Sequence, residues 1–116
     1  MKSRQPVGIA GFGAYVPRFR VDTAAIAAAW RPRGAAGASV AQKSVTGPDE
    51  DVVTMAIEAG RTAVERSGLE PSAIGAVWVG TESKPYAVKP TSTFVADAIG
   101  ALPYAAAAYT TKSQPC

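Results

Sequence analysis

The sequence predicts an α/β fold in which mostly parallel strands alternate with packed helices. The β-branched and aromatic run Ala76–Val79 is typical of a buried strand. An amphipathic helical segment that begins at Asp49 precedes it, and an earlier apolar run, Val7–Gly13, has the composition of a first strand. Because a strand, a helix and another strand usually form a parallel pair with a right-handed crossover, this order indicates a βαβ unit.

The composition is that of a globular domain. At 116 residues the chain has the length of one domain, with 47% apolar and 18% charged residues. The net charge of +3 is small and no dense Lys/Arg stripe is interleaved with aromatic residues, so we expect no nucleic-acid partner. No apolar run approaches the roughly 18 residues that span a membrane, and no signal-peptide core follows the basic start. We therefore expect a soluble, cytoplasmic protein.

Cysteine and histidine usage excludes several chemistries within this chain. The sequence contains one Cys and no His. A single Cys cannot form an internal disulfide and fits a reducing compartment. Without His, neither a Cys–His or Ser–His catalytic pair nor a His-ligated metal can be built from these residues alone, and we expect no metal site.

The first apolar run ends in two glycines, Gly11 and Gly13, which look like the start of a dinucleotide-binding fingerprint. Val16 occupies the position of the third glycine, and Pro17 follows where the helix would begin. Nucleotide binding is therefore disfavoured. The better interpretation is a strand end whose glycines allow a close backbone contact.

A short Ala-rich helix is predicted over Thr23–Trp30, with Asp22 as its N-cap. Ile26 and Trp30 share one face of this helix, and we expect both to pack in the core. Residues 31–48 are rich in Gly, Ala, Ser and Pro and predict a long loop. Three basic residues of this loop could meet a phosphate, although solvation is the simpler account: Arg31, Arg33 and Lys43.

The clearest helix begins at Asp49-Glu50-Asp51, whose carboxylates complement the positive end of the helix dipole. An apolar stripe of mostly small residues follows at helical spacing and predicts close packing on a sheet or another helix: Val52, Met55, Ala56, Ala59 and Ala63. Glu58 and Arg61 are within i+3 reach of each other, and Gly68 suits the left-handed position just past the helix. A single helical turn is predicted from Pro71.

A third helix is predicted after the loop 84–90, with Thr91 or Ser92 as its N-cap and Gly100 at its end. Its inward-facing residues are Phe94, Val95, Ala98 and Ile99. Residues 104–109 have the composition of a third strand. The chain thus continues the alternation of strands and helices.

The candidate catalytic residue is Glu82, which follows the strand Ala76–Val79 after a break at Gly80. In an open α/β sheet the ligand crevice lies beyond the carboxyl ends of the strands. A carboxylate there can act as a general acid or base. On position alone, a solvated loop carboxylate without a function is the commoner case.

Three parts of the chain carry a family resemblance: Val7–Arg18, Lys43–Ala56, and Val79–Ser83 with Lys89–Thr93. Gly-Thr-Glu-Ser after a strand, combined with Lys-Pro-Thr-Ser-Thr before a helix, is the most specific part. Together these segments resemble the amino-terminal part of archaeal-type hydroxymethylglutaryl-CoA synthase, within the thiolase superfamily. The resemblance implies an incomplete thiolase-like domain over residues 1–104 and a divergent or truncated tail over residues 105–116.

The resemblance also implies a mechanism. In this family a Cys is acetylated by acetyl-CoA, a Glu takes a proton from the acetyl methyl, and the enolate attacks the ketone of acetoacetyl-CoA before water frees the enzyme. Glu82 matches the family's Glu, and Cys116 lies near the position of the nucleophile, although Lys112–Pro115 departs from the family's pattern. The alternative for Cys116 is a free thiol of ordinary reactivity. Because the family's His is absent, we expect the chain to be inactive alone.

Two loop residues near Glu82 complete the candidate set. Lys89 could contact a phosphate or carboxylate of the substrate, although a solvated Lys is the commoner case at a loop end. Tyr86 is expected to pack over the Glu82 loop in a structural role.

Substrates and partners follow from the same resemblance. It implies acetyl-CoA and acetoacetyl-CoA as substrates, no covalently bound cofactor, and a place in the mevalonate pathway of isoprenoid biosynthesis. It also implies a homo-oligomer when complete, and assembly with a thiolase and a small zinc-ribbon and OB-type partner. Two alternatives remain open: another acyl-condensing enzyme, such as a ketoacyl synthase or thiolase relative, and a non-catalytic binding or assembly module. A partial sheet leaves apolar faces and strand edges open, so we expect the isolated chain to self-associate.

Overall fold

The computed structural model describes residues 6–30, 39–102 and 106–109. These residues divide into two units. The smaller unit is formed by Val16–Glu50, and the larger unit by the described residues on either side of it. The candidate catalytic loop belongs to the larger unit.

The smaller unit is a helix flanked by two short strands: β1 (Phe19–Asp22), α1 (Thr23–Trp30) and β2 (Gln42–Val45). The two strands pair antiparallel, with Phe19 opposite Val45 and Asp22 opposite Gln42. Thr23 joins the start of the helix to the chain before β2, because its backbone nitrogen donates to the Ala41 carbonyl at 3.0 Å. This hydrogen bond continues the contacts between the strands by one residue.

The structure agrees with the predicted helix in this unit and corrects two other predictions. The bounds of α1 match the expected range. The predicted loop 31–48 is wrong in part, because Gln42–Val45 is a strand. The sequence Gln-Lys-Ser-Val has little strand preference of its own, so the pairing with β1 decides its conformation. Trp30 is 53% exposed, which contradicts its expected place in the core.

The larger unit contains two helices, a helical turn and two strands: α2 (Val52–Ser67), a 3₁₀ turn (Pro71–Ala73), β3 (Val77–Gly80), α3 (Thr91–Ala98) and β4 (Ala106–Tyr109). The strands pair in parallel, from Val77 opposite Ala106 to Gly80 opposite Tyr109. The helix α3 is their crossover. The structure therefore contains a βαβ unit, but it is built from the second and third predicted strands. The unit predicted from the first and second strands is wrong, because residues 7–13 form no strand.

The predicted first strand, Val7–Gly13, has no regular secondary structure. Val7 and Ile9 are 84% and 91% exposed, because no described strand pairs with this segment. Gly13 instead lies against α2, where an added Cβ would overlap the Ala59 carbonyl oxygen and lie 2.8 Å from the Ala63 nitrogen. This close approach supports the interpretation of the glycines as a backbone contact and not as a dinucleotide-binding fingerprint.

A side-chain cap defines the start of α2, and a left-handed glycine defines its end. Asp51 is the N-cap and forms a capping box with Thr54, in which Asp51 Oδ1 accepts from the Thr54 nitrogen at 2.8 Å and Thr54 Oγ1 accepts from the Asp51 nitrogen at 2.9 Å. The helix thus begins at Val52, three residues later than predicted, and the acidic residues precede its first turn. Gly68 ends it with φ of 65°, as expected.

The core of the larger unit lies between its helices and sheet. Its fully covered apolar residues are Val53, Val95 and Ala96. Gly60 of α2 faces α3, where an added Cβ would lie 3.2 Å from Ile99 Cγ2. The predicted close packing of the small residues of α2 is therefore present on α3. The predicted stripe residues Val52 and Met55 are only half-buried.

The start of α3 differs from the prediction. Pro90 is the N-cap, without a side-chain hydrogen bond, whereas Thr91 and Ser92 lie inside the helix and are 5% and 0% exposed. They cannot cap from these positions, because capping requires a non-helical residue before the first turn. Instead, the Thr93 hydroxyl donates to the Pro90 carbonyl at 2.7 Å.

Candidate functional site

The candidate site is the loop of residues 81–90, which connects the carboxyl end of β3 to the start of α3. The strand β3 exposes alternate residues, so Val77 and Val79 are half-buried while Trp78 and Gly80 are exposed. Thr81 is half-buried, and every residue from 82 to 90 is exposed. This exposure leaves the loop accessible to a ligand.

Glu82 lies two residues beyond β3, at the first bend of this loop, where the sequence predicted it. Its side chain is exposed. Because Gly80 pairs with Tyr109 in a parallel register, β3 and β4 end at the same edge of the sheet. The other candidate, Cys116, follows β4 in the sequence but lies outside the described residues.

Two hydrogen bonds shape the loop from within. The Ser83 nitrogen donates to Thr81 Oγ1 at 3.1 Å, which closes the turn around Glu82. Lys84 Nζ donates to the Ala87 carbonyl at 3.1 Å. The prolines at 85 and 90 further restrict the backbone. The turn that carries Glu82 is therefore a defined local structure.

Phe94 of α3 connects the helix to the loop. The Tyr86 ring stacks on the Phe94 ring, with centroids 5.0 Å apart and planes inclined by 28°. Lys89 Nζ lies 5.2 Å from the centroid of the same ring, within the range of a cation–π contact. Tyr86 therefore packs on α3, whereas the sequence predicted that it packs over the Glu82 loop. Lys89, expected to be solvated or to contact the substrate, contacts an aromatic ring.

Phe94 was not among the site residues that the sequence indicated. Its helical spacing predicts only an inward-facing residue, and the stack with Tyr86 requires the loop to fold back over the helix. A second unexpected feature is Ser92, which is 0% exposed and whose hydroxyl has no hydrogen-bond partner among the described residues. Neither the stack on Phe94 nor the buried Ser92 hydroxyl could be predicted from the neighbouring residues in the sequence.

Residues 6–30, 39–102 and 106–109 contain no group of three or more His, Cys, Asp or Glu side chains that could hold a metal ion. In the same ranges, no helix has both the length and the apolarity required to cross a membrane.

Solved structures identify the class of fold. A 3-oxoacyl-(acyl carrier protein) synthase III from Xanthomonas oryzae is similar with a TM-score of 0.78 and 19% identity, over 91% of this chain and 35% of that one. The corresponding synthase from Aquifex aeolicus has a TM-score of 0.73 and 16% identity, over 89% and 34%. The chain has a thiolase-like α/β fold and covers about a third of these structures.

Curated relatives identify the family more closely, although no family model matches the chain. Hydroxymethylglutaryl-CoA synthase from Methanosarcina mazei is 54% identical over 105 residues, and that from Thermococcus gammatolerans is 48% identical over 103 residues. The chain is therefore a homologue of the hydroxymethylglutaryl-CoA synthases, which confirms the resemblance. The match covers 88–89% of this chain, whereas the chain spans 29–30% of the length of these relatives.

Proposed function

We propose that this chain contributes the catalytic Glu of an enzyme that condenses acetyl-CoA with acetoacetyl-CoA. The observation that carries the proposal is the place of Glu82, exposed on a shaped turn directly beyond β3. The segment around it belongs to a chain that is 48–54% identical to hydroxymethylglutaryl-CoA synthases. A carboxylate at the carboxyl edge of a sheet is well placed for a ligand that binds beyond that edge.

The proposed reaction has three steps. A Cys thiolate attacks the carbonyl of acetyl-CoA, and CoA leaves as its thiolate. The Glu82 carboxylate removes a proton from the acetyl methyl, and the new carbanion forms a carbon–carbon bond to the ketone of acetoacetyl-CoA, whose oxygen becomes a hydroxyl after protonation. Water then hydrolyses the thioester bond that links the condensed product to the Cys, and the enzyme is released. Glu82 must therefore be able to approach the acetyl group and later release its proton.

This chain does not supply every catalytic group that the proposed reaction uses. The sequence has no His and only one Cys. The role of Cys116 as the nucleophile is part of the proposal, and a free thiol of ordinary reactivity is the alternative. We expect the 116-residue chain alone to show no turnover of acetyl-CoA plus acetoacetyl-CoA, that is, no release of CoA beyond the one equivalent that acetylation of Cys116 gives. Turnover near that of a full-length synthase would overturn this part of the proposal.

A chimera provides the direct test of Glu82. Residues 6–102 of this chain replace the matching segment of the Methanosarcina mazei synthase, so the relative supplies the remaining catalytic groups. We expect condensation by the chimera. Its Glu82→Gln variant should still be acetylated by acetyl-CoA, with one equivalent of CoA released, but its condensation should fall by at least about a hundredfold. Glu70→Gln, in the connector before the 3₁₀ turn, is the matched control and should leave both steps unchanged.

The same variant separates the proposal from its nearest alternative. A ketoacyl synthase or thiolase relative shares the fold without a need for this Glu, so its condensation would survive Glu82→Gln. The similarity to 3-oxoacyl synthases at 16–19% identity concerns the fold alone and does not favour that alternative. Acetyl transfer to Cys116 is tested separately, by incubating the 116-residue chain with labelled acetyl-CoA and using Cys116→Ala as the control.

Acyl-CoA substrates, homo-oligomer formation and a place in mevalonate and isoprenoid synthesis are part of the same proposal for the complete protein. Assembly with a thiolase and a zinc-ribbon and OB-type protein is also proposed. Co-purification of this chain with such partners, without activity, would instead favour the non-catalytic assembly module.

A further inference from the structure

Two residues of the Glu82 loop, Tyr86 and Lys89, contact the ring of Phe94. Tyr86 stacks at 5.0 Å and Lys89 Nζ lies at 5.2 Å from the ring centroid. We call this group of three residues the Phe94 clasp. Phe94 itself is fixed by its helix, since its neighbours Val95 and Ala96 are each 4% exposed. The clasp therefore joins an exposed loop to a helix that is partly buried in the larger unit.

At its carboxyl end the loop is bonded to the helix, because the Thr93 hydroxyl donates to the Pro90 carbonyl at 2.7 Å, but the hydrogen bonds nearer to Glu82 stay within the loop. Ser83 bonds to Thr81 and Lys84 bonds to Ala87, so both contacts shape the loop internally. Residues 82–90 are all exposed and gain little stabilisation from burial. An aromatic stack supplies directional attraction beyond its buried area, and a cation over the same ring adds to it. The clasp is thus a tertiary contact that can decide where the loop rests.

We propose that Tyr86 and Phe94 are positioning residues that hold the Glu82 turn in a catalytic arrangement at the end of β3. This proposal rests on the proposed role of Glu82. The carboxylate is four residues from Tyr86 in the chain, and one hydrogen bond closes the turn around Glu82 while a second joins Lys84 to Ala87 beside Tyr86. Tyr86 and Phe94 act through the backbone of the loop. A small displacement of a general base lowers the rate of proton transfer more than it lowers substrate binding.

The positioning role predicts which property of each side chain matters. The stack requires a ring at position 86 but not its hydroxyl, so Tyr86→Phe should keep the contact and Tyr86→Leu should lose it. Phe94→Leu should lose the stack and the cation–π contact, while Phe94→Tyr keeps a ring. Lys89→Arg keeps a cation for the ring, whereas Lys89→Met does not. Each disruptive variant therefore has a conservative counterpart.

The first experiment measures loop opening in the 116-residue chain, without any assumption about activity. An endopeptidase that cleaves after Glu is applied, and the cleavage rate at the Glu82–Ser83 bond is compared with that at Glu58–Ala59 inside α2. We expect Tyr86→Leu and Phe94→Leu to accelerate cleavage at Glu82 by roughly two- to tenfold. Cleavage at Glu58 reports opening of α2, which is not part of the clasp, and should change less than cleavage at Glu82. Equal rates at Glu82 in the parent and both variants would overturn the clasp.

The second experiment measures catalysis in the chimera described above. We expect Tyr86→Leu to lower kcat by roughly two- to tenfold with KM changed less than about twofold, and Tyr86→Phe to restore kcat. Glu70→Gln, at an exposed residue outside the loop, should leave both parameters unchanged. Unchanged kcat in Tyr86→Leu and Phe94→Leu would overturn the positioning role.

The two experiments separate this inference from the function on which it rests. If Glu82→Gln leaves condensation intact, the proposed function is wrong, while the proteolysis result still decides whether the clasp holds the loop. If Glu82→Gln abolishes condensation and the clasp variants have normal kcat, only the positioning role is wrong.

Discussion

Gly13 lies against the backbone of α2 so closely that a Cβ at this position would overlap the carbonyl oxygen of Ala59. Gly11 makes a similar approach one turn further along the helix, where an added Cβ would lie 2.9 Å from Ser67 Cβ. Between them, Arg66 donates to the Phe12 carbonyl at 3.3 Å and lies over the Phe12 ring. The amino-terminal segment is thus held by contacts with a helix instead of by strand pairing.

This contact predicts a large effect of a single methyl group. Gly13→Ala should lower the free energy of unfolding by about 1–3 kcal/mol, because the backbone of α2 cannot move without disturbing its own hydrogen bonds. Gly8→Ala is the matched control, since an added Cβ there has nothing within 4 Å. It should change the free energy of unfolding by less than about 0.5 kcal/mol. Chemical unfolding of both variants measures the difference, and equal values would contradict the contact.

A substitution at the end of α2 can test backbone strain separately from steric overlap. Gly68 has φ of 65° and open space around its Cβ position, so Gly68→Ala suffers only from its left-handed conformation. We expect a loss of roughly 1 kcal/mol in the free energy of unfolding. Gly75→Ala, which also has open space but no positive φ, should cause no comparable loss. A neutral Gly68→Ala would exclude this conformation in solution.

The capping box of α2 predicts that two substitutions of Asp51 differ in their effect on the free energy of unfolding. Asp51→Ala should lower the free energy of unfolding by about 1 kcal/mol, because the Thr54 nitrogen loses its acceptor. Asp51→Asn should retain most of the stability, since an amide oxygen can also cap. Glu58→Ala, which removes an exposed ion pair to Arg61 at 3.0 Å, should cost less than about 0.5 kcal/mol. Thermal unfolding followed by circular dichroism ranks the three variants.

The exposed face of β3 predicts self-association of the isolated chain. Trp78 is 71% exposed on this face, and Ile9 of the same unit is 91% exposed. Trp78→Gln should shift the chain toward the monomer in sedimentation experiments, because it removes the largest apolar side chain of β3. Leu69→Gln, at a residue that is 52% exposed, is the control for general loss of surface hydrophobicity. A sharp monomer peak of the parent chain would contradict the prediction.

The local sequence was sufficient to predict those elements whose ends are marked by a characteristic residue. The left-handed Gly68 terminates α2, and the Ala-rich segment after Asp22 forms α1 within its predicted bounds. The alternation of strands and helices predicted a parallel pair, but the structure forms it between β3 and β4 and not between the first two predicted strands. The position of Glu82 also followed from local sequence, because an apolar run that breaks at a glycine marks the end of a strand.

Other features depended on segments that meet only in the folded chain. The weak strand sequence of β2 is ordered by its pairing with β1, and no local preference indicates that pairing. The first apolar run has the composition of a strand, but its glycines fit the surface of α2 better than they fit a sheet. Composition cannot distinguish these outcomes, since both use apolar and small residues.

The sequence by itself determined the class of fold, the family resemblance and the candidate general base, because these depend on the order and type of neighbouring residues. The tertiary structure alone decided how the Glu82 loop is held. Tyr86 and Phe94 are eight positions apart in the chain, and their stack exists only because the loop returns over α3. The contact is a property of the folded path of the backbone, which no local pattern of residues encodes.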